Sequence, residues 1–197
     1  DIMAMWRDAE TYSSACVSIP AHEAERQLPI EADAPDHAAY RANVITFFMP
    51  GAVRALEEEI RALAVKLIES FRERGECEFI AEFAEQLPLI VSLSLMGLPQ
   101  EDRIELHDWV EAFARHPDLA VKQDANDKLR AYLSGWIAKR MADPGDDAIS
   151  RITQAQIDGR PYTLEEMEST CTLLLLGGLD TVASSLGFWV LHLANNP

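Results

Sequence analysis

The chain has 197 residues, 48% of them hydrophobic and 25% charged, enough to bury a core and fill one domain. Acidic residues outnumber basic ones 33 to 17, a formal charge of −16 that, with no run of Lys and Arg to offset it, speaks against a nucleic-acid partner. The three cysteines, Cys16, Cys77 and Cys171, are odd in number and form no Cys-x-x-Cys pair, which fits a reducing cytoplasm better than a disulfide framework.

In chain order, "DIMAMWRDAETY" has helical period, with Ile2, Met5 and Trp6 on one face. Further on, residues 18–37, "SIPAHEAERQLPIEADAPDH", lack periodicity and read as a long loop of the kind that often carries function. A helix is expected from near Pro35 to Met49, then a second from Pro50, whose stripe of Val53, Leu56, Ile60, Leu63, Leu67 and Phe71 ends before Gly75. "ECEFI" reads as a short strand, and "AEFAEQLPLIVSLSLMGLP" as a buried helix ending at Gly97. Two amphipathic helices follow, divided by Pro117, then a short one around Ala148. "AQIDGRPYT" centres an Asp-Gly turn between short apolar runs, a hairpin signal.

Thr163 and Glu166 make a capping box that opens a helix running to about Ala194, roughly 46 Å long. Its middle is apolar on every side, which predicts burial all round. The longest uncharged stretch, 169–179, is stopped by Asp180 before it can span a bilayer, so the expectation is a soluble, cytoplasmic, mainly α protein.

"LLLLGGLDTVASS", within that helix, holds the chemistry. Two interior glycines, Gly177 and Gly178, each cost roughly 1 kcal/mol relative to alanine. Either something flat approaches the backbone there or a neighbouring helix packs closely. Asp180 is a carboxylate in a core pattern and needs a partner. Thr181 can bond back to the carbonyl of Gly177 or release it and open a groove. Together Asp180 and Thr181 make a hydroxyl–carboxylate pair suited to delivering a proton to a reacting oxygen, or else Asp180 is a structural cap.

"GGLDT" in a long helix resembles the oxygen-binding signature of the cytochrome P450 family. "DAPDHAAYR" resembles the family's helix-C entry, and "GLPQED", "DAIS", "GRP" and "LLLLGGLDTV" are similar to its bacterial camphor-monooxygenase branch. The resemblance implies the central portion of that fold, helix B to a long buried I helix with a small β hairpin, as one partial domain over 1–197. It implies haem b lying against Gly177 and Gly178, which would line the oxygen groove. Thr181 would hydrogen-bond the reacting oxygen, and Asp180 would relay protons so that the O–O bond breaks towards water. His37 and Arg41, four apart on one helix face, would contact a haem propionate. Without the resemblance they read as a solvated face. Leu173 and Leu176 would line an apolar substrate pocket, though either can be plain core.

The family's axial cysteine belongs to a loop beyond this helix. None of the three cysteines has that context, so the ligand is expected beyond Pro197, and the chain alone should be inactive. Substrate recognition also departs from the camphor branch: residues 13–39 contain no tyrosine or phenylalanine. By register Ser18, Gln27 and Ile30 face the substrate, pointing to a different terpenoid or norisoprenoid ketone. The resemblance further implies electrons from an iron–sulfur ferredoxin and its NAD(P)H-dependent reductase, docking at a patch that includes Arg41 and Arg54. The competing reading is a non-catalytic all-α domain that binds a small apolar ligand, which explains the helices but not "GGLDT" or "DHAAYR".

Overall fold

The computed structural model describes residues 1–16 and 26–196. It is built from helices α1 (Ile2–Met5), α2 (Asp36–Val44), α3 (Pro50–Arg72), α4 (Gln86–Met96), α5 (Arg103–Arg115), α6 (Leu119–Ala142), α7 (Ala148–Thr153) and α8 (Leu164–Asn195). Strands β1 (Gln156–Ile157) and β2 (Arg160–Pro161) form the hairpin expected of the Asp-Gly turn. Asp158 and Gly159 both take positive φ, 50° and 80°, as a tight two-residue turn between twisted strands demands.

The core lies where α4, α5 and α6 meet α8. Leu89, Leu93 and Met96 of α4, Leu106 and Val110 of α5, Leu129, Leu133 and Ile137 of α6, and Leu175 and Leu179 of α8 are all buried. The short link at 116–118 folds α6 back along α5, and Asp118 caps α6 by accepting from the Ala120 amide. Helix α4 ends in a left-handed turn at Gly97 (φ +68°), with Leu98 N–H donating to Leu93 and Gly97 N–H to Ser94. Around that turn Arg140 of α6 donates to the Gly97 carbonyl at 3.1 Å and pairs with Asp147, the cap of α7, at 2.6 Å. One glycine thereby locks three helices.

Three expectations need correction. Only Ile2–Met5 of the first segment is helical, and Ile2, Met5 and Trp6 are exposed, with no described residue covering that short turn. "ECEFI" is not a strand: the Glu78 amide is capped by Glu82, and Ile80–Ala84 form a π-helical turn leading into α4. The stripe of α3 is at most half-buried, since α3 covers the edge of the core rather than its centre.

The third correction concerns α8, which is not buried all round at its apolar middle. Burial on every side falls instead on the more polar stretch Glu166, Met167, Glu168, Thr170, Cys171 and Thr172. Its two acids are paired there: Glu166 with Arg160, and Glu168 with Arg130 at 2.6 Å and with Ser134. From Leu173 onward α8 buries one face, through Leu175, Leu179 and Ala183, and leaves Gly177, Thr181 and Val182 exposed. Near its end Phe188 and Trp189 are 72% and 67% exposed. By length and apolarity α8 also passes for a membrane-crossing helix; it packs on α4 and α6, and its early stretch holds the Glu168–Arg130 pair.

Candidate functional site

Capping sets where α8 begins and so where each later residue points. Thr163 accepts from the Glu166 amide at 3.2 Å, and the Glu166 carboxylate accepts from the Thr163 amide at 2.7 Å, the reciprocal box read from the sequence. Arg160 of β2 clasps the same carboxylate with two bonds, at 2.6 and 2.7 Å. Those bonds, led by Arg160, hold Glu166 down at about 2.

With that phase fixed, Ser169, Leu173, Leu176, Gly177 and Asp180 fall along one side of α8, at spacings of four, seven, eight and eleven. The loop before α2 crosses this side. Ser169 Oγ accepts from the Leu28 amide at 2.7 Å and donates to the Arg26 carbonyl. Gln27 is therefore next to α8, half-buried, with its backbone N–H donating to the Glu31 carboxylate at 2.7 Å. Ile30 is exposed, 48%. Leu173 and Leu176 are half-buried, and Leu176 also packs against the core. Ser18 lies outside the described residues.

The two glycines have different surroundings. A methyl group on Gly178 would meet Ser92 of α4, 2.4 Å from its Oγ and 3.3 Å from its Cβ, so close helix packing accounts for this position. A methyl group on Gly177 would have nothing within 4 Å. Gly177 therefore opens onto free space, and the packing reading does not cover it.

Thr181 Oγ1 donates to the Gly177 carbonyl at 2.9 Å, so the back-bond forms and the carbonyl is not released. Asp180, beside it, is ion-paired with Arg115 at the end of α5, both side chains being about half-exposed. Sequence reasoning missed Arg115, because 65 residues separate the partners and no local spacing signals the contact. Behind the pair a cavity of about 460 Å³ opens between α5, the π-helical turn and α8, lined by Val110, Leu179, Ala183 and Phe188 with His107 and Glu111.

His37 and Arg41 share a side of α2; His37 is half-buried and Arg41 exposed, with no ion pair to a described residue. Arg54 is also exposed. Cys171 is fully buried, and burial first, then Asp147 and Glu168, pushes its thiol well above the ordinary range. It is a core residue and a poor source of thiolate. Cys16 and Cys77 are half-buried on separate segments, and no cluster of His, Cys, Asp and Glu able to hold a metal occurs among the described residues.

The long central helix thus carries an open glycine, a back-bonded threonine and an ion-paired aspartate within a mainly helical fold. No family model matches the chain. It is 34% identical over 193 residues to a probable cytochrome P450 127A1 of Sinorhizobium fredii, covering 96% of this chain and 46% of that protein. It is likewise 34% identical to the erythromycin C-12 hydroxylase of Saccharopolyspora erythraea, covering 100% of this chain and 51% of that one. The solved structure of CYP101J2 superposes with a TM-score of 0.86 at 38% identity, over 96% of this chain and 48% of that one. The chain belongs to the cytochrome P450 family and spans about half the length of the relatives it matches.

Proposed function

We propose that the chain is part of a single cytochrome P450 domain. The intact protein is then a monooxygenase that places one atom of dioxygen into a C–H bond of a small apolar substrate, using haem b. The observation that carries this reading is the contrast at Gly177 and Gly178: the second glycine is explained by packing on Ser92, whereas a side chain on the first would meet no atom within 4 Å.

The residues present suit such a group on one side. His37 and Arg41 offer positive charge to a propionate, and Gly177 gives a flat ring access to the α8 backbone. The axial thiolate is not among the described residues. When bound, haem supplies the redox centre at which dioxygen is activated. The chain's own part is proton handling and exclusion of water. Thr181 Oγ1, whose proton rests on the Gly177 carbonyl, turns to donate to a ligand in the opening. Asp180, once swung away from Arg115, would take a proton from solvent and hand it to the Thr181 oxygen as Thr181 passes its own proton to that ligand. Leu173 and Leu176 present an apolar wall to the substrate.

For the substrate we infer a terpenoid or norisoprenoid ketone, with Gln27 donating to its carbonyl, because Gln27 sits where the loop crosses α8. An iron–sulfur ferredoxin with its NAD(P)H-dependent reductase, docking near Arg41 and Arg54, would supply electrons in the cytoplasm.

Spectral titration of the intact, haem-loaded protein tests the reading. A red-shifted ferrous–CO Soret band and a low- to high-spin shift with ionones support it. Tight camphor binding with no ionone response overturns the substrate assignment. Failure to take up haem overturns the enzyme reading in favour of an apolar-ligand module.

A further inference from the structure

A polar junction centred on Glu166 lies apart from Gly177–Thr181. Tyr40 is the one buried residue of α2, and its phenol donates to Glu166 Oε1 at 2.5 Å. That carboxylate already accepts two bonds from Arg160 and one from the Thr163 amide, so a single acid joins the start of α8, the hairpin and α2. Burial, followed by the bond to Glu166, raises the Tyr40 hydroxyl to about 12, which keeps it a proton donor at every working pH. A second tie runs beside it: Asn43 Nδ2 donates to the Gln156 carbonyl at 2.9 Å and to the Tyr162 hydroxyl at 3.3 Å. The Tyr40 and Tyr162 rings meet edge to face, 5.6 Å apart.

Tyr40 immediately precedes Arg41 and follows His37 by three positions. At about 100° per residue, anchoring Tyr40 fixes the directions of His37 and Arg41, which lie roughly 60° and 100° round the helix from it. Helix α2 has no side-chain cap at its N-terminus, and Tyr40 is its one buried side chain; Ala39 and Val44 are only partly buried against the core, and the Asn43 tie holds its C-terminal turn. We infer that Tyr40, held by Glu166, is a positioning residue that aims the His37–Arg41 edge of α2 at the anionic group it binds, taken here, on the reading above, as a haem propionate.

The test uses Tyr40→Phe in the intact, haem-loaded protein, since it keeps the ring against Tyr162 and deletes only the donor. Haem transfer to excess apomyoglobin should accelerate roughly tenfold, the weight of one charge-assisted hydrogen bond. The propionate bending band in the resonance Raman spectrum should shift, while far-UV circular dichroism stays unchanged. Gly97→Ala is the control for general loosening: it lowers stability at a junction remote from α2 and should leave the Raman band in place. Unchanged haem transfer and an unmoved band in Tyr40→Phe, or an equal band shift in Gly97→Ala, would overturn the inference. Arg41→Ala separates it from the reading it rests on. Slow haem loss there sinks the assignment of α2, whereas fast loss there beside a silent Tyr40→Phe sinks the positioning role alone.

Discussion

Adjacent glycines should respond to the same substitution in opposite ways. Gly177→Ala adds a methyl group to free space, so the variant gains the helix preference of alanine, about 1 kcal/mol, without a clash. Gly178→Ala gains the same preference, but its methyl lands 2.4 Å from Ser92 Oγ and 3.3 Å from Ser92 Cβ. The hydroxyl can rotate away; the Cβ is fixed to α4, so α4 must move by a few tenths of an ångström. Overpacking of this kind costs roughly 1–3 kcal/mol, which leaves Gly178→Ala neutral to about 2 kcal/mol destabilised. The two variants should therefore differ by about 1–3 kcal/mol in urea unfolding of the intact protein followed by circular dichroism. Pairing Gly178→Ala with Ser92→Gly removes both offending atoms and should show a coupling of roughly 1–2 kcal/mol. Equal stabilities for the two alanine variants, or no coupling with Ser92, would refute the division of labour between the glycines. On the proposed function, Gly177→Ala should also weaken carbon monoxide or dioxygen binding even though it stabilises the helix.

At the other end of α4, Gly97→Ala forces a side chain into a positive-φ position with Asp147 Cβ 2.7 Å away; it should cost about 2–4 kcal/mol, read as a lowered urea midpoint. Glu166, depressed to about 2, contributes stability that is fully present above its unfolded value near 4.5 and is lost as pH falls through that interval towards 2. Glu166→Gln should remove roughly 1–3 kcal/mol near neutrality and flatten the acid limb of the stability profile between those values. Arg115→Ala breaks a half-exposed ion pair, so stability should change by less than about 1 kcal/mol while peroxide release per electron changes; a large loss of stability with unaltered coupling would make the pair structural.

Much of the helical order was legible in the sequence because its punctuation is local. Gly97 stops α4, Thr163 and Glu166 start α8, and Asp158-Gly159 turns the hairpin, each by chemistry within a few residues. The back-bond of Thr181 was legible for the same reason, since its acceptor lies four residues earlier. The partners of the acids on α8 were not. Arg115 for Asp180, Tyr40 for Glu166 and Arg130 for Glu168 come from other helices, and nothing in local spacing marks them. Hydropathy also misplaced the burial of α8. Its polar early stretch is enclosed because paired charges can be buried, and its leucine- and glycine-rich stretch is open on one side. The cytochrome P450 fold supplied the frame, and the particular contacts came only from tertiary structure.

The central claim is that the open side of α8 at Gly177–Thr181 handles the protons of dioxygen activation. Thr181→Ala in the intact protein tests it most directly, by measuring hydrogen peroxide released and product formed per electron consumed. Removing the hydroxyl deletes only an exposed back-bond to Gly177, so haem content, substrate affinity and fold should be retained. The account predicts that peroxide rises at the expense of product. Coupling equal to that of the unaltered protein would contradict it.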